Sequence, residues 1–322
     1  MPFSQPHILI AGGAGFLGTN LALSLLQDGA RVEIWDNFHT GREQNCRLLA
    51  ERFPATLTWR RVDVRSLPAD APAFDAIYNL ACPASPPHYQ KDPVGTTLTC
   101  VQGALNLLDL ACRHHATILQ TSTSEVYGDA LVTPQSEDYW GNVNCSGPRA
   151  CYDEGKRCAE SLFFDHHRMH ATRIKVVRIF NTYGPYMQPD DGRVVSNFIL
   201  QALHNQPLTI YGDGSQTRSF CYCDDLIRGL RAMMSSPDDF TGPVNLGNPG
   251  EFTILELAQK ILGKLPQSAS RLVFRPLPPN DPRRRRPDIS LARRQLAWQP
   301  EISLDCGLVP TIEYFRHFTN IG

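Results

Sequence analysis

Tyr152 and Lys156 stand four residues apart in Tyr-Asp-Glu-Gly-Lys, a spacing that puts both side chains on one face of a helix. A free phenol ionises near pH 10, by the ordinary value of about 10 for tyrosine. A lysine cation beside it, with any second positive charge in the same cleft, would favour the phenolate and make Tyr152 a usable base near neutral pH. Alone, such a pair is common on ordinary helices. It gains meaning from what else the chain carries.

Gly12-Gly-Ala-Gly15-Phe16-Leu17-Gly18 supplies the second constellation. Glycines at 12, 15 and 18 permit a tight turn, close approach of a pyrophosphate and close packing of a following helix, whose N-terminus offers free N–H groups to phosphate. Asp36 lies 18 residues beyond Gly18. A carboxylate there accepts both ribose hydroxyls and repels a 2′-phosphate, so the pattern favours NAD over NADP. The nicotinamide cation would then be the second charge near Tyr152. Asp63 is a candidate for the adenine amino group.

These residues need elements to hold them. Apolar runs predict strands at 7–11, 31–35, 57–62, 74–80, 117–121 and 174–179, and helices over 16–27, about 93–114 and about 151–169. The glycine turn then sits between the first strand and first helix, and the Tyr-Lys pair opens the last helix. Such alternation predicts an α/β fold, a Rossmann-type doubly wound parallel sheet. Past Asn181 glycine and proline become dense and the elements shorten. The expected division is a dinucleotide-binding domain over 1–183, to which segments near 219–248 return, and a smaller C-terminal α/β substrate lobe over 184–322.

Bulk composition narrows the partners. The chain has 31 basic and 32 acidic residues among 322, a balance that favours neither nucleic acid nor a membrane surface. The first seven residues lack a signal-peptide pattern, and no apolar run approaches the roughly 18 residues that span a bilayer. The 10 cysteines are scattered, with no zinc spacing, and read as reduced cytoplasmic thiols. No metal is expected. The run Arg283 to Arg286 is either a solvated loop or a site for an anionic ligand.

The glycine turn, Thr121-Ser-Thr-Ser-Glu-Val-Tyr-Gly128 and Tyr152-x-x-x-Lys156, in this order, resemble the extended short-chain dehydrogenase/reductase family. The resemblance implies that Thr123 polarises the C4 oxygen of a nucleotide sugar while Tyr152 takes its proton and hydride leaves C4. Lys156 would hold the nicotinamide ribose. Members that eliminate water usually carry Asp-Glu where this chain has Ser124-Glu125, and Ser124 is a poor acid for departing hydroxide. Simple 4-epimerases usually lack a carboxylate at the position of Glu125. Decarboxylation needs no such acid: once C4 is a ketone, a C5 carboxylate is a β-keto acid, and Thr123 and Tyr152 stabilise the enolate.

Further stretches are similar to the family's UDP-glucuronate decarboxylases, among them Asn79-Leu-Ala-Cys-Pro-Ala-Ser-Pro-Pro-His-Tyr89, Gly147-Pro-Arg-Ala-Cys-Tyr152, Tyr211-Gly-Asp-Gly-Ser-Gln-Thr-Arg218 and Arg285-Arg-Pro-Asp-Ile289. That resemblance implies a fork from Arg285 on the substrate carboxylate, and a Glu125 that orients or supplies the water reprotonating C5. It implies substrate contacts from Asn106, Asn181, Val195, Tyr211 and Arg218. Cofactor contacts would come from Gly12, Gly15, Phe16, Leu17, Gly18, Asp36, Asn37, Asp63, Val64, Leu80, Ala81 and Thr99, with Tyr152 and Lys156. It also implies a UDP-sugar substrate and a homodimer built on the two long helices.

The chain departs from the family pattern after Pro93. Gly95 and Leu98 fall where lysines are usual and Cys100 where asparagine is usual, and fewer cations at the cleft would weaken anion binding or mark a changed substrate. Other readings remain open at this point: a C4 epimerase, an oxidative decarboxylase releasing the 4-keto sugar, or a non-catalytic nucleotide-binding protein.

Overall fold

A run such as His7-Ile-Leu-Ile-Ala11 has no polar face, which is what a strand covered on both sides requires. In the computed structural model, which describes residues 5–276 and 285–319, that run is the first of six strands. They are β1 (His7–Ala11), β2 (Arg31–Asp36), β3 (Leu57–Arg61), β4 (Ala76–Asn79), β5 (Thr117–Thr123) and β6 (Ile174–Ile179). With a short edge strand, Val244–Leu246, they make one seven-stranded sheet in the order Val244–Leu246, β6, β5, β4, β1, β2, β3. Every pairing in it is parallel.

Alternate residues of each strand point to opposite faces, and both faces are buried. Ile8, Ile10, Ile34, Tyr78, Leu119 and Val177 pack on one side with Leu21, Ala22 and Leu25 of α1 (Phe16–Gln27) and Leu226, Leu230 and Met233 of the later helix Cys223–Met234. Their neighbours Leu9, Ala11, Trp35, Ile77, Ile118 and Val176 pack on the other side. There they meet α4 (Pro93–His114) and α5 (Ala150–His170), through Ala104, Leu107, Ala159 and Phe163. Two helices fall between these in sequence, α2 (Glu43–Arg52) and α3 (Pro86–Tyr89). α4 is started by Asp92, whose carboxylate accepts from the Gly95 N–H at 2.9 Å, with Pro93 as its first residue.

A separate apolar cluster gathers helices Val194–Leu203, Ile254–Lys264 and Leu304–Thr319 around the parallel pair Leu208–Tyr211 and Leu272–Arg275. Between these pieces the chain goes back to the large sheet, contributing Val244–Leu246 to its edge and Cys223–Met234 to its face.

Three differences from the sequence expectation have physical causes. α2 was not foreseen, because it buries only Asn45, Cys46 and Leu49, leaves Leu48 exposed and is polar at most other positions. The edge strand is three residues long, too short to carry a period. β5 continues to Thr123, since Ser122 and Thr123 still pair with Arg178 and Ile179 of β6.

The order of strands reverses at β1 and β4, and the crevice beyond their carboxyl ends is where such sheets bind ligands. Gly12 follows β1 and Leu80 follows β4, so the glycine turn and the loop after β4 open into that crevice.

Candidate active site

A cavity of about 280 Å³ occupies the crevice. At one end Gly12 has φ +77°, and a Cβ there would lie 2.7 Å from the Ala81 nitrogen. A Cβ on Gly18 would lie 2.5 Å from the Gly12 carbonyl oxygen. Both glycines are fixed by the chain's own packing. Gly15 is different: a Cβ would meet only the Gly12 oxygen, at an ordinary 3.5 Å. Its bareness serves the cavity that it lines, at the N-terminus of α1, where no side chain caps the helix and no acid stands in the first turn. That is a cradle for a phosphate.

Asp36 lines the same cavity and holds the turn. Its carboxylate accepts from the Ala14 N–H at 3.0 Å and the Phe38 N–H at 2.8 Å, one bond to each oxygen, leaving lone pairs for ribose hydroxyls. Burial raises its pKa, and the two N–H bonds and Arg61 only partly offset this. Asn37, Val64, Leu80, Ala81 and Thr99 also line the cavity. The donor and acceptor set fits a dinucleotide.

At the other end lie Thr123, Glu125, Tyr152 and Lys156. The Tyr152 ring stacks on Tyr89 at 5.2 Å between centroids, and Thr123 lines the cavity beside it. Lys156 donates from Nζ to the Thr121 carbonyl at 2.8 Å and sits 5.9 Å from the centre of the Tyr152 ring. Burial pushes Tyr152 well above its ordinary value, with Cys82 adding to the rise and the Thr123 hydroxyl opposing it. With the chain's own groups alone the phenol stays protonated.

Glu125 stands in the short 3-10 turn Ser124–Tyr127, entered through a bond from its N–H to the Thr123 hydroxyl at 3.2 Å. Arg285 closes on it as a two-pronged fork, NH1 to Oε1 at 2.5 Å and NH2 to Oε2 at 2.6 Å. NH1 also donates to the Ser124 hydroxyl at 3.2 Å. Arg149 donates to Oε2 from the opposite element, the start of α5. Burial alone would raise the Glu125 pKa, yet the two guanidiniums outweigh it and hold the carboxyl below its usual range. Arg285, expected at a substrate carboxylate, is bonded to the Glu125 carboxylate.

A sequence family described as the NAD dependent epimerase/dehydratase family matches residues 8–247. The chain belongs to that family. NAD is its cofactor. Among curated relatives, UDP-glucuronic acid decarboxylase 1 of Arabidopsis thaliana is 51% identical over 311 residues, covering 97% of this chain and 70% of that one. UDP-glucuronic acid decarboxylase 1 of Danio rerio is 49% identical over 311 residues, covering 97% and 73%. A solved structure of UDP-glucuronic acid 4-epimerase from Bacillus cereus, in complex with UDP-glucuronic acid and NAD, superimposes with a TM-score of 0.86 at 27% identity, covering 97% of this chain and 99% of that one.

Within this epimerase/dehydratase scaffold the remaining sequence-derived residues divide. Asn181 lines the cavity just past β6. Asp63, Asn106, Val195, Tyr211 and Arg218 are outside the cavity wall formed by the described residues. Asp63 is claimed by Arg65, with bonds from N at 2.9 Å, Nε at 3.0 Å and NH2 at 2.7 Å, and is held down at about 2. It braces Asn37 from behind. Asn106 donates to the Val64 carbonyl at 2.8 Å and so supports a wall residue. Val195 is buried in the second apolar cluster. Tyr211 is 45% exposed, and Arg218 donates to the Thr217 carbonyl at 2.9 Å. Of the basic run, Arg283 and Arg284 lie outside the described residues, and Arg286 lies 3.7 Å from Glu251. Gly95 is in the cavity wall, whereas Leu98 is 47% exposed and outside it.

Sequence reasoning missed Arg149, Tyr89 and Asp153. Arg149 precedes Asp153 by four residues and approaches it at 3.9 Å, so a cation just ahead of the Tyr-x-x-x-Lys helix was the available signal. Asp153 is buried, its Oδ1 has no partner among the described residues, and burial with Glu125 nearby raises it to about 7.

Proposed function

We propose that this chain converts UDP-glucuronate to UDP-xylose and CO₂, oxidising C4 and later reducing it within one turnover. The observation that carries the reading is Glu125 held between Arg285 and Arg149, next to the Thr123–Tyr152 pair. Two guanidiniums against one carboxylate leave net positive charge where an acid substrate would place its own carboxylate. Relatives at 51% and 49% identity are named UDP-glucuronic acid decarboxylases.

NAD, held by the turn 12–18, Asp36 and Lys156, would supply acceptance and return of the C4 hydride and a positive charge near Tyr152. Tyr152 takes the C4 hydroxyl proton, and that added charge opposes the burial that keeps its phenol neutral. The C5 carboxylate, now β to a ketone, leaves as CO₂ while its bonding electrons move into the C4 carbonyl. Thr123 and Tyr152 donate to the enolate oxygen as charge builds there. Glu125, ionised at neutral pH by its two arginines, orients the water that protonates C5. Tyr152 then returns its proton to the C4 oxygen as C4 is reduced. Lys156 holds the cofactor ribose from its anchor on the Thr121 carbonyl. Arg285 positions Glu125 and Ser124 and competes for the substrate carboxylate.

The cofactor end belongs to residues 1–183 together with 219–248, and the UDP end to the remainder of 184–322, entered past Asn181 and Arg193. A homodimer through α4 and α5 is supported by Val94, Leu98 and Met169, which are 69%, 47% and 75% exposed on these helices. Sedimentation as a monomer at micromolar concentration would contradict it. A cytoplasmic setting fits ten scattered cysteines, all with free thiols. Among the described residues no helix is long and apolar enough to cross a membrane.

The test is incubation of purified protein with NAD and UDP-glucuronate, following CO₂ and the sugar product. UDP-xylose with no build-up of NADH is expected. An intact uronic acid would refute the proposal, and stoichiometric NADH would favour an oxidative decarboxylase.

A further inference from the structure

Cys82 in the cavity wall meets a second thiol, Cys100, behind it, and neither carries a step of the chemistry above. The Sγ atoms of Cys82 and Cys100 are 3.1 Å apart. Cys82 follows the end of β4, lines the cavity and is half-buried. Cys100 is buried on α4 and wedged against α5: a Cβ on Gly155, the residue before Lys156, would lie 3.0 Å from the Cys100 Cβ.

We propose that Cys82 and Cys100 are a redox modification site, closing to a disulfide under peroxide and shutting off turnover until a dithiol reopens it. The pair suits the reaction. The two thiols share a hydrogen bond, and the Cys82 contact, with the Lys156 ammonium, lowers the Cys100 thiol against its burial. One thiolate of the pair attacks peroxide, the O–O bond breaks, and a sulfenic acid and hydroxide result. The second sulfur attacks the sulfenic sulfur and forms the S–S bond. The displaced oxygen leaves as water, so two thiols and one peroxide become one disulfide and two waters.

Bond formation must draw the sulfurs from 3.1 Å to about 2.05 Å. That movement of about 1 Å falls between the loop after Ala81 and α4, which packs at Cys100 on the α5 turn carrying Tyr152 and Lys156. Displacement on this scale costs on the order of a hundredfold in rate. Formation of the disulfide does not depend on the decarboxylase reading; the loss of turnover does.

The experiment treats the NAD-loaded enzyme with hydrogen peroxide, alkylates remaining thiols, maps linked peptides by mass and measures turnover before and after dithiothreitol. Expected are a Cys82–Cys100 linked peptide, a fall in turnover of about a hundredfold and recovery on reduction. Cys100→Ser, which removes only the buried partner, should keep its activity under the same treatment, although the exposed Cys145, Cys158 and Cys306 still react. Cys100→Ala replaces it if the serine variant folds poorly. Absence of the linked peptide, linkage with unchanged turnover, or variants as sensitive as the parent would each overturn the proposal.

Discussion

At the cofactor end of the cavity the proposed phosphate and adenosine-ribose contacts are the backbone of the turn 12–18 and one carboxylate, Asp36, all within the first 36 residues. At the sugar end the proposed working groups are side chains from separate places: Thr123 and Glu125 after β5, Arg149 and Tyr152 at the start of α5, and Arg285 from near the C-terminus. The first end is made of main-chain N–H groups and missing side chains, and tolerates little change in shape. The second is a cluster of buried charge, in which two arginines keep one glutamate ionised against its burial. Binding of a common cofactor has been built from geometry, and choice of substrate and reaction from electrostatics.

The largest effect should come where the two ends meet. Tyr152→Phe removes the proton carrier and should lower kcat by about 10³, with bound NAD unchanged by absorbance. Unchanged turnover would remove Tyr152 from the account. Arg285→Lys keeps a charge but loses the fork, and should cost about 10² in kcat/KM. Glu125→Gln should lower kcat without raising KM, because it releases Arg285 to the substrate carboxylate. A rise in KM instead would mean that Glu125 itself builds the binding site.

Asp153 tests the charge balance of the sugar end without touching substrate. Its folded pKa of about 7 stands above the unfolded value of about 4, so the fold favours its acid form. The stability this contributes is complete below pH ~4 and is lost as pH rises through about 7, on the order of 2 kcal/mol after allowance for relaxation. Urea unfolding should show that loss in the parent and not in Asp153→Asn. Equal slopes against pH would contradict it.

The smallest effect separates the glycines. Gly15→Ala should fold normally and bind NAD roughly tenfold more weakly, about 1.4 kcal/mol, by calorimetric titration. Gly18→Ala should lose about 1–3 kcal/mol of stability through overpacking. Equal behaviour of the two would mean that Gly15, too, is only a packing residue.

The same contrast explains what the sequence made legible. The glycine turn, Asp36 and the Tyr152–Lys156 pair are local, and their spacing alone states their geometry. Glu125 was visible, but its partners lie 24 and 160 residues away, and no spacing rule joins them. Pairing of Arg285 with Glu125 follows from three-dimensional proximity. Asn106, Asp63 and Tyr211 match motif positions, yet a neighbouring carbonyl, a neighbouring arginine and solvent exposure decide where each works. α2 and the Val244–Leu246 strand escaped because one is mostly polar and the other too short for a period.

The central claim is that hydride leaves C4 and comes back to it, with carbon dioxide lost in between. UDP-glucuronate carrying deuterium at C4, turned over by the NAD-loaded protein, should give UDP-xylose that retains its deuterium at C4. A pentose without that label, or deuterated NADH accumulating in step with a 4-keto sugar, would contradict the account.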